Sequence, residues 1–86
     1  MGQPVVGMAM TAREKEYADK LRRFIKAELK RANVSYKELA LRLAKQGLDE
    51  TETGIASKLS RGTFSATFLV ATLAVLELEG MRLEDL

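Results

Sequence analysis

Four residues with short oxygen-bearing side chains, Thr11, Ser35, Thr51 and Ser65, each precede a run of apolar residues at helical or near-continuous spacing. Each run then meets a residue suited to turning the chain, at Asn33, Gly47, Gly62 and Gly80. A Ser or Thr in the first place satisfies N–H groups that the opening turn of a helix leaves without partners. Gly or Asn in the second accepts the left-handed backbone with which many helices end. This punctuation predicts an all-α chain of four to five helices. At 86 residues it makes one domain with a small core. The absence of cysteine removes disulfides as staples, so stability has to come from helix packing or self-association. Hydrophobic residues at 47% and charged residues at 30% exclude a disordered tail.

The first helix is expected over about 12–32. Thr11 and Glu14 form a capping box, and Tyr17, Leu21, Phe24, Ile25, Leu29 and Ala32 form its apolar face. Ser35-x-x-Glu38 opens the second helix with another capping box, flanked by Val34 and Leu39 as a hydrophobic staple. Leu39, Ala40, Leu43 and Ala44 point inward, and Gly47-Leu48 closes the helix. Thr51 caps the third, whose inward residues are Ile55, Ala56 and Leu59, and Gly62 ends it. Phe64, Ser65 and Leu69 open a fourth that is expected to run to about Leu78 and stop at Gly80. This helix is apolar almost all round, which suits either the centre of a core or a surface shared by two chains. A homodimer contact including part of it is one expectation, and full burial is the other. Residues 81–86 make a last turn. Residues 1–11 are uncharged and contain Pro4, so the domain proper is assigned to 12–86. The preceding arm is either flexible or a short strand that pairs with its copy.

Charge is unevenly placed. The net is +2, but residues 13–31 carry +4, residues 32–62 carry +1 and residues 63–86 carry −3. On the third helix, Thr53, Ser57, Ser60 and Arg61 follow the i, i+4, i+7, i+8 pattern opposite the apolar side. Ordinary exposed helix faces are rich in Lys and Glu, whereas this one is short-chained and mostly uncharged. Short side chains let a helix backbone come close to base edges in a DNA groove. No secretory signal and no apolar run long enough for a membrane span occur, which suits a cytoplasmic protein.

Residues 36–62 resemble the helix-turn-helix of phage-repressor-type (lambda-repressor-like) domains. Leu39-Ala40 lie in the first motif helix, Ile55 is the apolar anchor of the recognition helix and Arg61-Gly62 stand at its end. The flanking helices match that family's layout, so the likeness covers most of the chain. Fifteen positions separate Ala40 from Ile55, more than is usual in the family, and the excess implies a lengthened turn around Gly47 to Glu50. The resemblance implies sequence-specific binding of double-stranded DNA by a homodimeric transcriptional regulator, with residues 51–61 in the major groove. It places Thr51, Glu52 and Thr53 at the start of the recognition helix, and Ser57, Lys58 and Arg61 along its exposed side. Thr53 and Ser57 are then candidates for base edges, and Lys58 and Arg61 for phosphate or guanine. Lys37 and Arg42 on the first motif helix, with Arg22, Arg23 and Lys26 on helix one, are candidate backbone clamps.

Competing readings are weaker or belong to another class. Asp49, Glu50 and Glu52 repel phosphates, yet they also suit the start of a helix, where carboxylates complement the dipole. As a metal cage they lack any His or Cys nearby. Catalysis is not expected, because Ser57 and Ser60 have no activating base beyond the solvent-open Lys58, and no glycine-rich phosphate loop is present. No cofactor and no small-molecule ligand follow from the residues. The main alternative is a helical protein–protein interaction module, an adaptor or antitoxin-like inhibitor that does not bind DNA.

Overall fold

The structure, a computed structural model, describes residues 10–86. The two readings of the N-terminal arm therefore lie, but for its last two residues, outside the described residues. Four helices follow in order: α1 over Ala12–Ala32, α2 over Tyr36–Lys45, α3 over Glu52–Arg61 and α4 over Ala66–Val75. A 3-10 turn at Leu83–Asp85 comes last, and no strand occurs among the described residues. The architecture is a small all-α bundle.

Each helix starts at the hydroxyl that its sequence offers. Thr11 Oγ1 accepts from the Glu14 N–H at 3.1 Å while Glu14 Oε1 accepts from the Thr11 N–H at 2.8 Å, a complete capping box. Ser35, Thr51 and Ser65 accept from the N–H groups of Glu38, Gly54 and Phe68 at 3.1, 2.9 and 3.1 Å. The expected second capping box is only half made. The Glu38 carboxylate instead takes Arg42 Nε at 2.9 Å, a charge-assisted bond that competes well with a neutral backbone N–H.

Helix ends are closed by backbone geometry. Asn33 adopts φ 59, and the Val34 N–H donates to the Leu29 carbonyl at 2.9 Å. Gly47 adopts φ 88, and the Leu48 N–H donates to the Leu43 carbonyl at 2.9 Å. Both are Schellman closures, in which the residue after the left-handed one returns over the last turn. The fourth helix departs from expectation. It ends at Val75, not near Leu78, because Glu77 takes φ 60 and the Leu78 N–H donates to the Leu73 carbonyl at 2.9 Å. Satisfying the last carbonyls and folding Leu78 back towards Leu73 offsets a left-handed cost of about 1–2 kcal/mol for a residue with a Cβ.

The core unites Ile25, Leu29, Val34, Leu39, Leu43, Ile55, Leu59, Phe68, Ala71 and Val75. On α1 the buried stripe runs through Ala18, Ile25 and Leu29, so Tyr17 remains 50% exposed and Ala32 is exposed, contrary to expectation. Tyr17 sits about 100° round the helix from Ala18, at the margin of the buried stripe, where it lines a shallow groove with Gly62, Thr63 and Phe64. Ala44, also expected inside, is exposed because it lies about 100° past Leu43. Helix α4 buries Phe68, Ala71, Thr72 and Val75 but leaves Val70 64% exposed, so it is covered on one side and open on the other.

Helix α3 is seated from two directions. Ile55 and Leu59 are fully buried, and Gly62, at φ 72, meets α1 so closely that an added Cβ would stand 2.9 Å from both the Cβ and the carbonyl oxygen of Ala18. Phe64 packs edge-on against Phe68, with ring centroids 5.1 Å apart, and fixes the path from α3 into α4.

Candidate functional site

With Ile55 and Leu59 anchored, the rest of α3 turns outward. Thr53, Ser57, Ser60 and Arg61 are all exposed, as is Glu52 at its start. Thr51 is also exposed, but its hydroxyl already accepts from Gly54 as the cap. Arg61 Nη1 donates to Ser57 Oγ at 2.7 Å, and Arg61 makes no ion pair among the described residues. A hydroxyl partner orients the guanidinium without neutralising it, and most of its five N–H donors stay available.

Lys58 departs from expectation. It is drawn off the outward face, with Nζ 2.9 Å from Glu50 Oε1 and 5.5 Å from the centroid of the Phe68 ring. The two side chains are only 27% and 15% exposed. A long alkyl stem can cover an aromatic ring while its ammonium meets a carboxylate, and this combination holds Lys58 inward. The same pair neutralises Glu50, the middle member of the acidic trio. Asp49 and Glu52 remain exposed beside the start of α3.

The other cations fall into separate groups. Arg22 is paired with Asp19 at 2.9 Å and Arg42 with Glu38 at 2.9 Å. Lys37 is exposed on the first turn of α2, and Lys26 lines a groove with Lys30, Ser35 and Tyr36 at the α1–α2 corner. None of Lys26, Lys30 and Lys37 has an ion-pair partner among the described residues. Lys30 was not singled out from the sequence, although its position four residues after Lys26 places it on the same side of α1. Arg23 lies elsewhere, in a cleft formed with the C-terminal segment. The link from α2 to α3 spans residues 46–51, longer than the three to four residues of an ordinary helix-turn-helix turn.

Among the described residues no group of three or more His, Cys, Asp or Glu side chains converges on a point that could hold a metal ion. No described helix is long and apolar enough to cross a membrane. In comparison with known proteins, no curated protein and no solved structure matches the chain. Residues 17–81, which span most of α1 and all of α2, α3 and α4, match the family described as Domain of unknown function (DUF6471).

Proposed function

The chain belongs to the DUF6471 family, whose description carries no activity, and from its own surface we propose that it binds double-stranded DNA sequence-specifically as a homodimeric transcriptional regulator, a repressor, with α3 in the major groove. The observation that carries this reading is the outward face of α3, where Thr53 and Ser57 are short and exposed and Arg61 is oriented by a hydroxyl, not cancelled by a carboxylate. Short hydroxyl side chains allow close approach and exchange hydrogen bonds with several bases. An Arg that keeps its charge can grip guanine O6 and N7 together, worth about 1–3 kcal/mol of discrimination.

Lys37, Lys26 and the neighbouring Lys30 supply phosphate contacts in this reading, and Arg22 and Arg42 join only by exchanging their present carboxylate partners. Lys58 acts inside the fold, as a brace between the α2–α3 link and α4. The lambda-repressor-like likeness of the sequence adds a geometry in which two copies address half-sites one helical turn, about 34 Å, apart. Occupying such a site blocks other proteins from it, which is the simplest route to repression.

Fluorescence anisotropy with duplex DNA at a series of salt concentrations tests the proposal. Micromolar or tighter binding that weakens steeply as salt rises is expected, because each neutralised phosphate releases counterions. On a duplex selected from random sequence, Arg61→Ala should weaken binding by about 10-fold or more with the fold intact. Unchanged affinity would remove Arg61 from the site. No binding even at low salt favours a protein–protein interaction module. That second reading rests on the open side of α4, where exposed Val70 sits in a groove with Gln46, Ala66 and Thr67. Under the DNA reading the same face joins the two copies.

A further inference from the structure

The outward side chains of α3 do not act one by one. Ser57 lies two residues from both Ile55 and Leu59, the fully buried anchors of the helix, and this spacing sets it about 180° round from the line midway between them. It is the apex of the exposed side, with Thr53 and Arg61 each about 40° to one flank. Arg61 reaches back one turn, and its Nη1 donates to Ser57 Oγ at 2.7 Å. The guanidinium is thereby carried from the end of the helix to its outermost line.

That position separates two kinds of DNA contact. A helix lying in the major groove turns its outermost line to the base edges and its flanks to the phosphate rims. A guanidinium held at the apex therefore faces the groove floor. The bond to Ser57 uses Nη1 and leaves the Nε–Nη2 edge whole, with the parallel N–H groups that match guanine O6 and N7. While Ser57 Oγ accepts from Arg61, its own O–H stays available to donate. No carboxylate shares this line. Glu52 is about 140° round the helix from Ser57 and about 14 Å along it from Arg61, Asp49 precedes the helix, and Glu50 is taken by Lys58.

We propose that Ser57 is a positioning residue that acts through Arg61, and that the pair makes α3 a reader of a guanine within each half-site. This rests on the DNA reading and adds to it the base selected and the residue that sets the selection. Without the Ser57 hydroxyl, the long Arg61 side chain spreads over its rotamers and reaches phosphates as readily as bases. Ser57 thus governs selectivity, while the attraction to DNA comes from the charge.

Selection of duplexes from random DNA by the full chain, followed by anisotropy on the selected duplex, tests this. A G·C pair is expected at one fixed position of each half-site. Replacing that guanine by 7-deazaguanine removes N7 but keeps the base pair, and should weaken the unaltered protein about 10-fold while changing Arg61→Ala less than about 2-fold. Ser57→Ala should narrow the preference for G·C over A·T there by about 10-fold with the salt slope and the helical circular dichroism unchanged. Ser57→Thr restores the hydroxyl and should restore the preference. The proposal is overturned, with the DNA reading left standing, by selected sites without a fixed guanine, by indifference to 7-deazaguanine, or by a Ser57→Ala variant that keeps its selectivity. Loss of affinity for all sequences alike with a shallower salt slope in Arg61→Ala also overturns it, because Arg61 is then a phosphate contact. Absence of binding to every duplex at low salt overturns the DNA reading itself.

Discussion

Gly62 and Gly47 both hold a positive φ, at 72 and 88, but only Gly62 faces another helix. A Cβ at Gly47 would meet nothing within 4 Å, whereas one at Gly62 would press on the Ala18 backbone at 2.9 Å. Gly47→Ala should therefore cost only the left-handed strain, about 1–2 kcal/mol. Gly62→Ala adds overpacking and should cost about 2–4 kcal/mol. Urea unfolding of both variants checks the ordering, and equal losses would mean that α1 and α3 give way without cost. Glu77 is the reverse case, a side-chain-bearing residue at φ 60 in an exposed place that glycine usually holds. Glu77→Gly should raise stability by about 1 kcal/mol, visible as a higher midpoint in the same experiment. The glycines at 47 and 62 are conspicuous in the sequence as helix stops. Nothing local marks Glu77 as one, because its backbone is set by where Leu78 must go.

At the scale of elements, the long link between α2 and α3 is held by Leu48, packed on the core, and by the Glu50–Lys58 pair. That pair joins residues eight apart and rests on Phe68 of α4, so it ties the link to two helices at once. Both partners are more sheltered than those of the Glu38–Arg42 pair, where the side chains are 45% and 43% exposed. Glu50→Gln should cost about 1–2 kcal/mol, between values typical of exposed pairs and of buried ones. Glu38→Gln should cost under about 0.5 kcal/mol, as an exposed i, i+4 pair does. Thermal unfolding of the two variants in parallel tests the difference, and equal costs would show that the link needs no brace. The start of every helix was legible from its hydroxyl cap, because capping is decided within four residues. The inward turn of Lys58 was not, since it depends on Glu50 and Phe68 arriving from different elements.

At the scale of the molecule, the open side of α4 bears on assembly. From Gly62 to Leu76 the chain has no charge, and Val70 stands 64% exposed within that stretch. If the proposed homodimer uses this face, Val70→Glu should give monomers in sedimentation velocity with the helices intact, because the side chain already faces water and burying two copies of a carboxylate together is costly. A dimer of unaltered strength would place the interface elsewhere. The basic part of the sequence is likewise divided in three dimensions, with Lys26 and Lys30 at the α1–α2 corner and Arg23 in the C-terminal cleft. By itself, the sequence determined the all-α class, the four helix starts, the closures at Asn33, Gly47 and Gly62, and the outward hydroxyl face of α3, since caps and 3.6-residue periodicity act within a few turns. Only the tertiary structure decided that α4 stops at Val75, that Tyr17 and Ala44 stay outside, that Lys58 is consumed in an ion pair and that Gly62 is pinned to α1. Most of these depend on what other segment lies opposite, and spacing along one helix carries no record of its neighbours.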